Sequence, residues 1–211
     1  MNQKPLVVTC SLALVFAMSI PFAPRSASAD RSVDPSTLNP PPPPQFNPVC
    51  ERVGGGTICT VQFSDPPFAG GNGVFCGTGV TSYEVYLFQN RSVTGKRYYD
   101  QNGNLTRRHF DEVDTGTVSN PINHKALSFS ARLTTLHDLS TSGDITSGTL
   151  VITGVARNYL HQGGVVILEA GRTISAAGTG DFIRESGPHP FLDYFVFGDS
   201  AAIQPLCDAL Q

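Results

Sequence analysis

The stretch Leu127-Ser128-Phe129-Ser130-Ala131-Arg132-Leu133-Thr134 places apolar and polar residues in strict alternation. Because successive side chains of a β-strand point to opposite faces, this pattern is typical of a strand with one buried and one solvated face. Similar stretches lie on both sides of it. They are rich in β-branched and aromatic residues, and glycine-rich turns or loops separate them: 57–63, 81–88, 93–100, 105–113, 149–160, 165–174 and 182–185.

Short connections predict how these strands are arranged. Asn102-Gly103 and the segment 161–164 (His-Gln-Gly-Gly) are typical hairpin turns, so successive strands are expected to be antiparallel neighbours. About eight strands in such a meander must hide their edges. We therefore predict an all-β fold, an antiparallel up-and-down barrel, with a β-sandwich as the alternative. Pro205 and the apolar residues after it predict a short C-terminal helix.

The first 29 residues have the features of a secretory signal peptide. Lys4 precedes an apolar run over 6–23, and Ala27-Ser28-Ala29 matches the small-residue cleavage pattern. Cleavage after Ala29 would leave a secreted, extracellular chain. A retained membrane anchor is the alternative, but serines and prolines interrupt the run. Beyond residues 1–29 we expect a disordered, proline-rich tether over 30–48, with five prolines at 40–44, and a single β domain over 49–211.

The charge of the mature chain excludes one class of partner. Without Lys4 and Arg25, 17 acidic and 12 basic side chains remain, for a net charge of about −5. Nucleic acids bind clustered lysines and arginines, so we expect no nucleic-acid partner. No segment after the signal is long and apolar enough to predict a membrane span. The oligomeric state has no signal in the sequence.

Four cysteines remain after the signal, an even number that is typical of two disulfides in an exported chain. A two-residue turn at Gly54-Gly55 would bring Cys50 opposite Cys59 in a non-hydrogen-bonded pair, where a bridge is feasible. By elimination, Cys76 then pairs with Cys207. Because neither the cysteines nor the histidines have metal-ligand spacing, we expect no metal and no cofactor.

The sequence offers two candidate general-base pairs and no complete catalytic set. His109 with Asp111, and His137 with Asp138, each combine an imidazole with a carboxylate that can orient it. The segment 195–200 (Phe-Val-Phe-Gly-Asp-Ser) resembles the nucleophile block of GDSL-type lipases and esterases. No histidine follows it, however, so we interpret it as the end of a strand followed by a capped helical turn.

Arg157 and Glu169 are candidate ligand-binding residues, because they lie among apolar neighbours on two adjacent predicted strands. A polar group inside a small barrel can orient a ligand. The predicted turn at 161–164 would place Ala156 opposite Glu169 and Arg157 opposite Leu168. The two charges are therefore expected on opposite faces of the sheet.

Three segments resemble uncharacterised exported proteins of actinobacteria: 144–149 (Asp-Ile-Thr-Ser-Gly-Thr), 163–171 and 205–210. The resemblance implies a bacterial extracellular setting, a β-rich body and no particular activity. The predicted architecture is also similar to lipocalin-like and allene-oxide-cyclase-like barrels, a likeness of shape that does not fix a function.

Together these observations predict an exported, disulfide-stabilised β-barrel module that binds a small apolar ligand at the cell envelope or in the medium and is not an enzyme. One alternative is a barrel enzyme of cyclase or hydrolase type that uses a His/Asp pair. Another is a structural or protein-binding surface protein.

Overall fold

A computed structural model describes residues 31–211, so the predicted signal peptide and its cleavage site lie outside the described residues. In this part of the chain, nine antiparallel strands form one sheet. In chain order they are β1 (Val49–Val53), β2 (Gly56–Ser64), β3 (Phe68–Cys76), β4 (Tyr83–Tyr99), β5 (Leu105–Ser119), β6 (Ala126–Asp138), β7 (Thr149–His161), β8 (Gly164–Ala176) and β9 (Phe182–Ser186). Helices α1 (Pro190–Phe197) and α2 (Gln204–Leu210) follow, and short 3-10 turns lie at Pro35–Thr37, Pro44–Phe46, Gly79–Thr81 and Ser200–Ile203.

The sheet is a meander with one exception. Its order is β1-β2-β4-β5-β6-β7-β8-β9, and β3 pairs beside β2 along the same edge of β4. Strand β4 has 17 residues, so its second half pairs with β2 and its first half with β3. The sequence predicts two strands where β4 is continuous, and a loop where β3 lies. A glycine-rich segment becomes a strand here because the long β4 offers it an edge.

The pairing starts at β1 and β3 and ends at β9, and within residues 31–211 no ladder joins these edges. The sheet is therefore not closed. The all-β class, the antiparallel meander and the short C-terminal helix agree with the sequence prediction, whereas closure into a barrel is not observed. All nine strands belong to a single sheet rather than to the two sheets of a sandwich.

One face of the sheet, here called the covered face, carries the apolar core. At one end of this face, α2 contributes Leu206 and Leu210, both fully buried, to the main cluster. The two helices pack there because the strands present a continuous apolar surface. The strand residues of this surface are Val74, Tyr83, Val85, Leu87, Val118, Leu127, Phe129, Tyr159 and Ile167.

The N-terminal segment Arg31–Pro48 covers the other end of the same face. Leu38 is buried with Tyr99 and Leu105, and the ring of Phe46 stacks on Phe63 with centroids 4.3 Å apart. The Asn39 amide also donates to the carbonyl of Gly103 at 2.8 Å. The predicted free tether is therefore packed, because apolar side chains between its prolines have a surface to bury. The compact unit begins at Arg31 rather than at residue 49.

Both predicted disulfides are present. Val53 pairs with Gly56 across the first hairpin, which brings Cys50 opposite Cys59, and these two are bonded. Cys76 of β3 is bonded to Cys207 of α2, so this bridge ties the C-terminal helix to the sheet. Among residues 31–211, neither α-helix has the length and hydropathy that a transmembrane span requires.

Candidate functional site

A cavity of about 360 Å³ lies on the covered face, with α1 as one wall. Its volume falls in the range of small-molecule sites. Most of its lining is apolar, but four charged side chains and one amide also reach it. The lining residues are Leu87, Gln89, Glu112, Asp114, Phe129, Leu133, Ala156, Arg157, Glu169, Phe191, Leu192 and Phe195.

The strand register explains why charged side chains meet here. Asp114 of β5 lies opposite Arg91 of β4 on one side and Ala131 of β6 on the other. Arg157 of β7 lies opposite Glu169 of β8. Directly paired residues share a face, and Phe129 pairs with Tyr159, each two residues from Ala131 and Arg157 respectively. These five residues therefore lie on one face in a row across the sheet, with a small alanine near its middle.

The sequence prediction for Arg157 and Glu169 is wrong in register. The two are paired and lie on the same face, whereas the predicted turn separates them to opposite faces. The cause is one extra residue in β8: Leu160 pairs with Val165, and the next pair is Tyr159 with Ile167. A one-residue shift reverses the face of every side chain beyond it. Both charged residues consequently line the cavity.

Glu169 holds the start of α1. It is buried, and its two carboxylate oxygens accept hydrogen bonds from Nδ1 of His189 and from the Phe191 amide, each at 2.8 Å. The other ring nitrogen of His189 lies 3.0 Å from the Ser186 carbonyl. Since both nitrogens face acceptors, both donate. Burial alone would lower the pKa of His189, but the hydrogen bonds to Glu169 and Ser186 raise it.

Arg157 lies against the aromatic wall of the cavity. Its guanidinium carbon is 4.8 Å from the ring centroid of Phe191, which is a cation–π contact. Arg157 therefore reaches the cavity, and its assignment as a ligand-binding residue stays a prediction. The assignment of Glu169 as a ligand-binding residue stays a prediction, because both of its oxygens already hold α1.

Asp114 and Glu112 are the charged cavity residues that sequence reasoning missed. Asp114 is only 6% exposed, and its Oδ1 has no hydrogen-bond partner among residues 31–211. Burial, reinforced by the neighbouring Glu112, raises the pKa of Asp114 to about 6. Glu112 binds Arg91 at 2.5 Å, and Arg91 also binds Asp65 at 2.9 Å.

A signal for Asp114 was present in the sequence. Asp114, Gly116 and Val118 alternate with Thr115 and Thr117, so an acid shares a strand face with a valine that is fully buried. The predicted strand ended at residue 113, one position short of Asp114. Extending it would have placed an acid on an apolar face.

The first predicted catalytic pair lies away from the cavity. His109 and Asp111 share a face of β5, with His109 Nε2 and Asp111 Oδ1 3.4 Å apart. Since side chains alternate along the strand, this face is opposite to the one that carries Glu112 and Asp114. Asp111 also accepts a hydrogen bond from the Thr134 hydroxyl at 2.8 Å, and its side chain is 58% exposed.

The second predicted pair is not brought together. His137 is fully buried, and its Nδ1 lies 3.0 Å from Nε of Arg108. Because arginine offers only donors, Nδ1 accepts, and Nε2 donates to the Ser147 carbonyl at 2.7 Å. Asp138 instead pairs with Arg107. His137 and Asp138 separate because successive strand residues point to opposite faces, and His137 packs as a structural residue.

The segment that resembles an esterase motif is a helix end. The predicted strand before Gly198 is instead α1, which ends where Gly198 adopts a left-handed φ of 73°. The capped helical turn is confirmed: Asp199 accepts a hydrogen bond from the Ala201 amide at 3.0 Å. Among residues 31–211, no group of three or more His, Cys, Asp or Glu side chains is arranged to hold a metal ion.

Comparison of the chain with protein-family models, curated proteins and solved structures found no match. The resemblance to exported actinobacterial proteins therefore stays a prediction. The cavity itself is the feature of the molecule that bears on function. A largely apolar cavity that also carries a carboxyl group and a guanidinium is suited to hold a small molecule with a polar end.

Proposed function

We propose that the mature protein is an exported binding module that holds a small, largely apolar molecule in the cavity beside α1. The observation that carries this proposal is the open cavity of about 360 Å³, in which Phe129, Phe191 and Leu133 line the walls beside a few convergent polar groups. Such a combination of apolar walls and few polar anchors is characteristic of small-molecule sites.

Export is the second part of the proposal, with the signal peptide removed after Ala29. Two disulfides support it, because such bonds persist in oxidising compartments outside the cytosol. In this proposal the sheet acts as an incompletely closed barrel whose interior is the covered face. The helices and the segment Arg31–Pro48 shield the two ends, and the ligand occupies the space between them.

The test is native mass spectrometry of protein recovered from the culture medium, combined with amide NMR spectra during titration with toluene or benzyl alcohol. We expect either a co-purifying small molecule or amide shifts confined to the cavity. Ala156→Phe fills the cavity and should abolish both effects. Thr117→Phe, a similar enlargement on the opposite face of β5, is the matched control and should abolish neither. Binding that survives A156F unchanged would refute the proposed site.

A further inference from the structure

The surroundings of Asp114 indicate which polar group the ligand carries. A buried carboxylate oxygen without a partner is unfavourable, since it has lost water and gained no donor. Oδ1 of Asp114 is in this position among residues 31–211, while its carboxyl group already contacts Gln89 and Glu112. Asp114 also lines the cavity, so a donor placed there by a ligand would contact its carboxyl group.

The charges around Asp114 favour a cation over a neutral donor. Glu112 adds a second carboxylate on the same strand face. Arg91 lies opposite Asp114, but it is already paired with both Glu112 and Asp65, so three carboxylates share one guanidinium here. Further along the row, beyond Ala131, the carboxylate of Glu169 already accepts hydrogen bonds from His189 and from the first turn of α1. The residues that α1 contributes to the cavity lining are apolar.

Within residues 31–211, Arg157 is the one cation in the cavity lining, and in the row it lies two strands away from Asp114. Two strand spacings, roughly 10 Å, separate the backbones of β5 and β7. The guanidinium is drawn further toward α1 by its contact with Phe191. A positive group bound at Asp114 would therefore lie away from Arg157 and close to Asp114 and Glu112, where the neighbouring Arg91 is already paired with Glu112 and Asp65.

We infer that the ligand of this cavity is an apolar amine, whose ammonium group is bound by Asp114 and Glu112 and whose apolar body packs against Phe129 and Phe195. This inference rests on the proposed function, because it names the class of molecule that the same cavity takes. The carboxylates accept hydrogen bonds from the ammonium, and the aromatic walls exclude water from its apolar part.

The test uses four probes of nearly equal shape, which are benzylamine, benzyl alcohol, phenylacetate and toluene, titrated into the secreted protein at pH 7.5 and pH 5. At pH 7.5 benzylamine should bind at least about tenfold more tightly than benzyl alcohol, because its hydrogen bonds are charge-assisted. At pH 5 this preference should shrink, since the acid pair gains a proton while the amine stays charged. Phenylacetate should bind least.

Asp114→Asn should remove the preference for the amine and leave benzyl alcohol binding unchanged. Asp111→Asn, the same substitution on the outward face of the same strand, is the matched control and should retain the preference. Glu112→Gln is a second variant, which should weaken the preference if D114N does not fold. Equal binding of amine and alcohol, or tighter binding of phenylacetate, would overturn the inference that the ligand is an amine. Neither result would contradict the proposal that the cavity binds a small molecule. Failure of all four probes to bind would instead contradict the proposed function itself.

Discussion

Replacing Cys76 and Cys207 by alanine should destabilise the protein much more than replacing Cys50 and Cys59. The two bridges close loops of very different length, with sequence separations of 131 and 9 residues. In the chain-entropy model the stabilisation grows with the logarithm of loop length, which gives roughly 5 kcal/mol for the long loop and roughly 2.5 kcal/mol for the short one. All four cysteines are buried, so the loss of side-chain volume is similar in the two double variants.

The measurement is urea-induced unfolding, followed by circular dichroism and by the fluorescence of the six tyrosines, since the chain has no tryptophan. The free energy of unfolding of C76A/C207A should lie about 2.5 kcal/mol below that of C50A/C59A. The long bridge also anchors α2 in the main core, so its loss should reduce the cooperativity of unfolding near the C-terminus. Equal losses, or a larger loss for the short bridge, would refute the reasoning.

Two further predictions concern the sheet and the cavity. Gly116→Ala would place a Cβ 1.9 Å from the carbonyl oxygen of Phe88, so we expect a loss of about 2 kcal/mol or more in unfolding experiments, whereas Gly55→Ala, with open space around it, should change stability by less than about 0.5 kcal/mol. Similar values for the two variants would contradict the close strand contact. The pKa of Asp114 rises from 3.8 to about 6 on folding, so the folded state binds its proton more tightly than the unfolded chain. The contribution of Asp114 to stability is thus full below pH 4 and falls as pH rises toward 6. Thermal unfolding of D114N and of the unmodified protein, compared across pH 4–7, measures this pH-dependent contribution. A stability difference between the two proteins that stays constant with pH would argue against a buried Asp114 with a raised pKa.

Local patterns in the sequence predict most of the sheet. The alternation in 127–134 identifies β6, and Asn102-Gly103 marks the turn between β4 and β5. The Gly54-Gly55 turn even determines which cysteine faces Cys50, because the hairpin that it closes is short and its register is regular. These features were predictable since each depends on residues close together in the chain.

The features of the fold and of the site that the sequence does not predict depend on residues that are distant in the chain. Strand β3 contains Gly70, Gly71 and Gly73, and forms only because β4 extends beyond the end of β2. The extra residue in β8 lies in Val165-Val166-Ile167, where three similar apolar residues give no sign of which one is unpaired. That single residue decides whether Arg157 and Glu169 share a face, so the candidate site was not predictable from local patterns.

The polar row in the middle of the covered face is the feature that a purely structural role explains least well. Apolar residues at the positions of Glu112 and Asp114 would continue the core between its two ends, and well-packed apolar replacements of buried charges are often neutral or stabilising. The chain instead buries Asp114 with an unpartnered oxygen beside a second acid, which disfavours the ionised form. Under the proposed function, a group that is unfavourable for folding alone, and that borders a largely apolar cavity, gains a partner when the ligand enters the cavity and pairs with it.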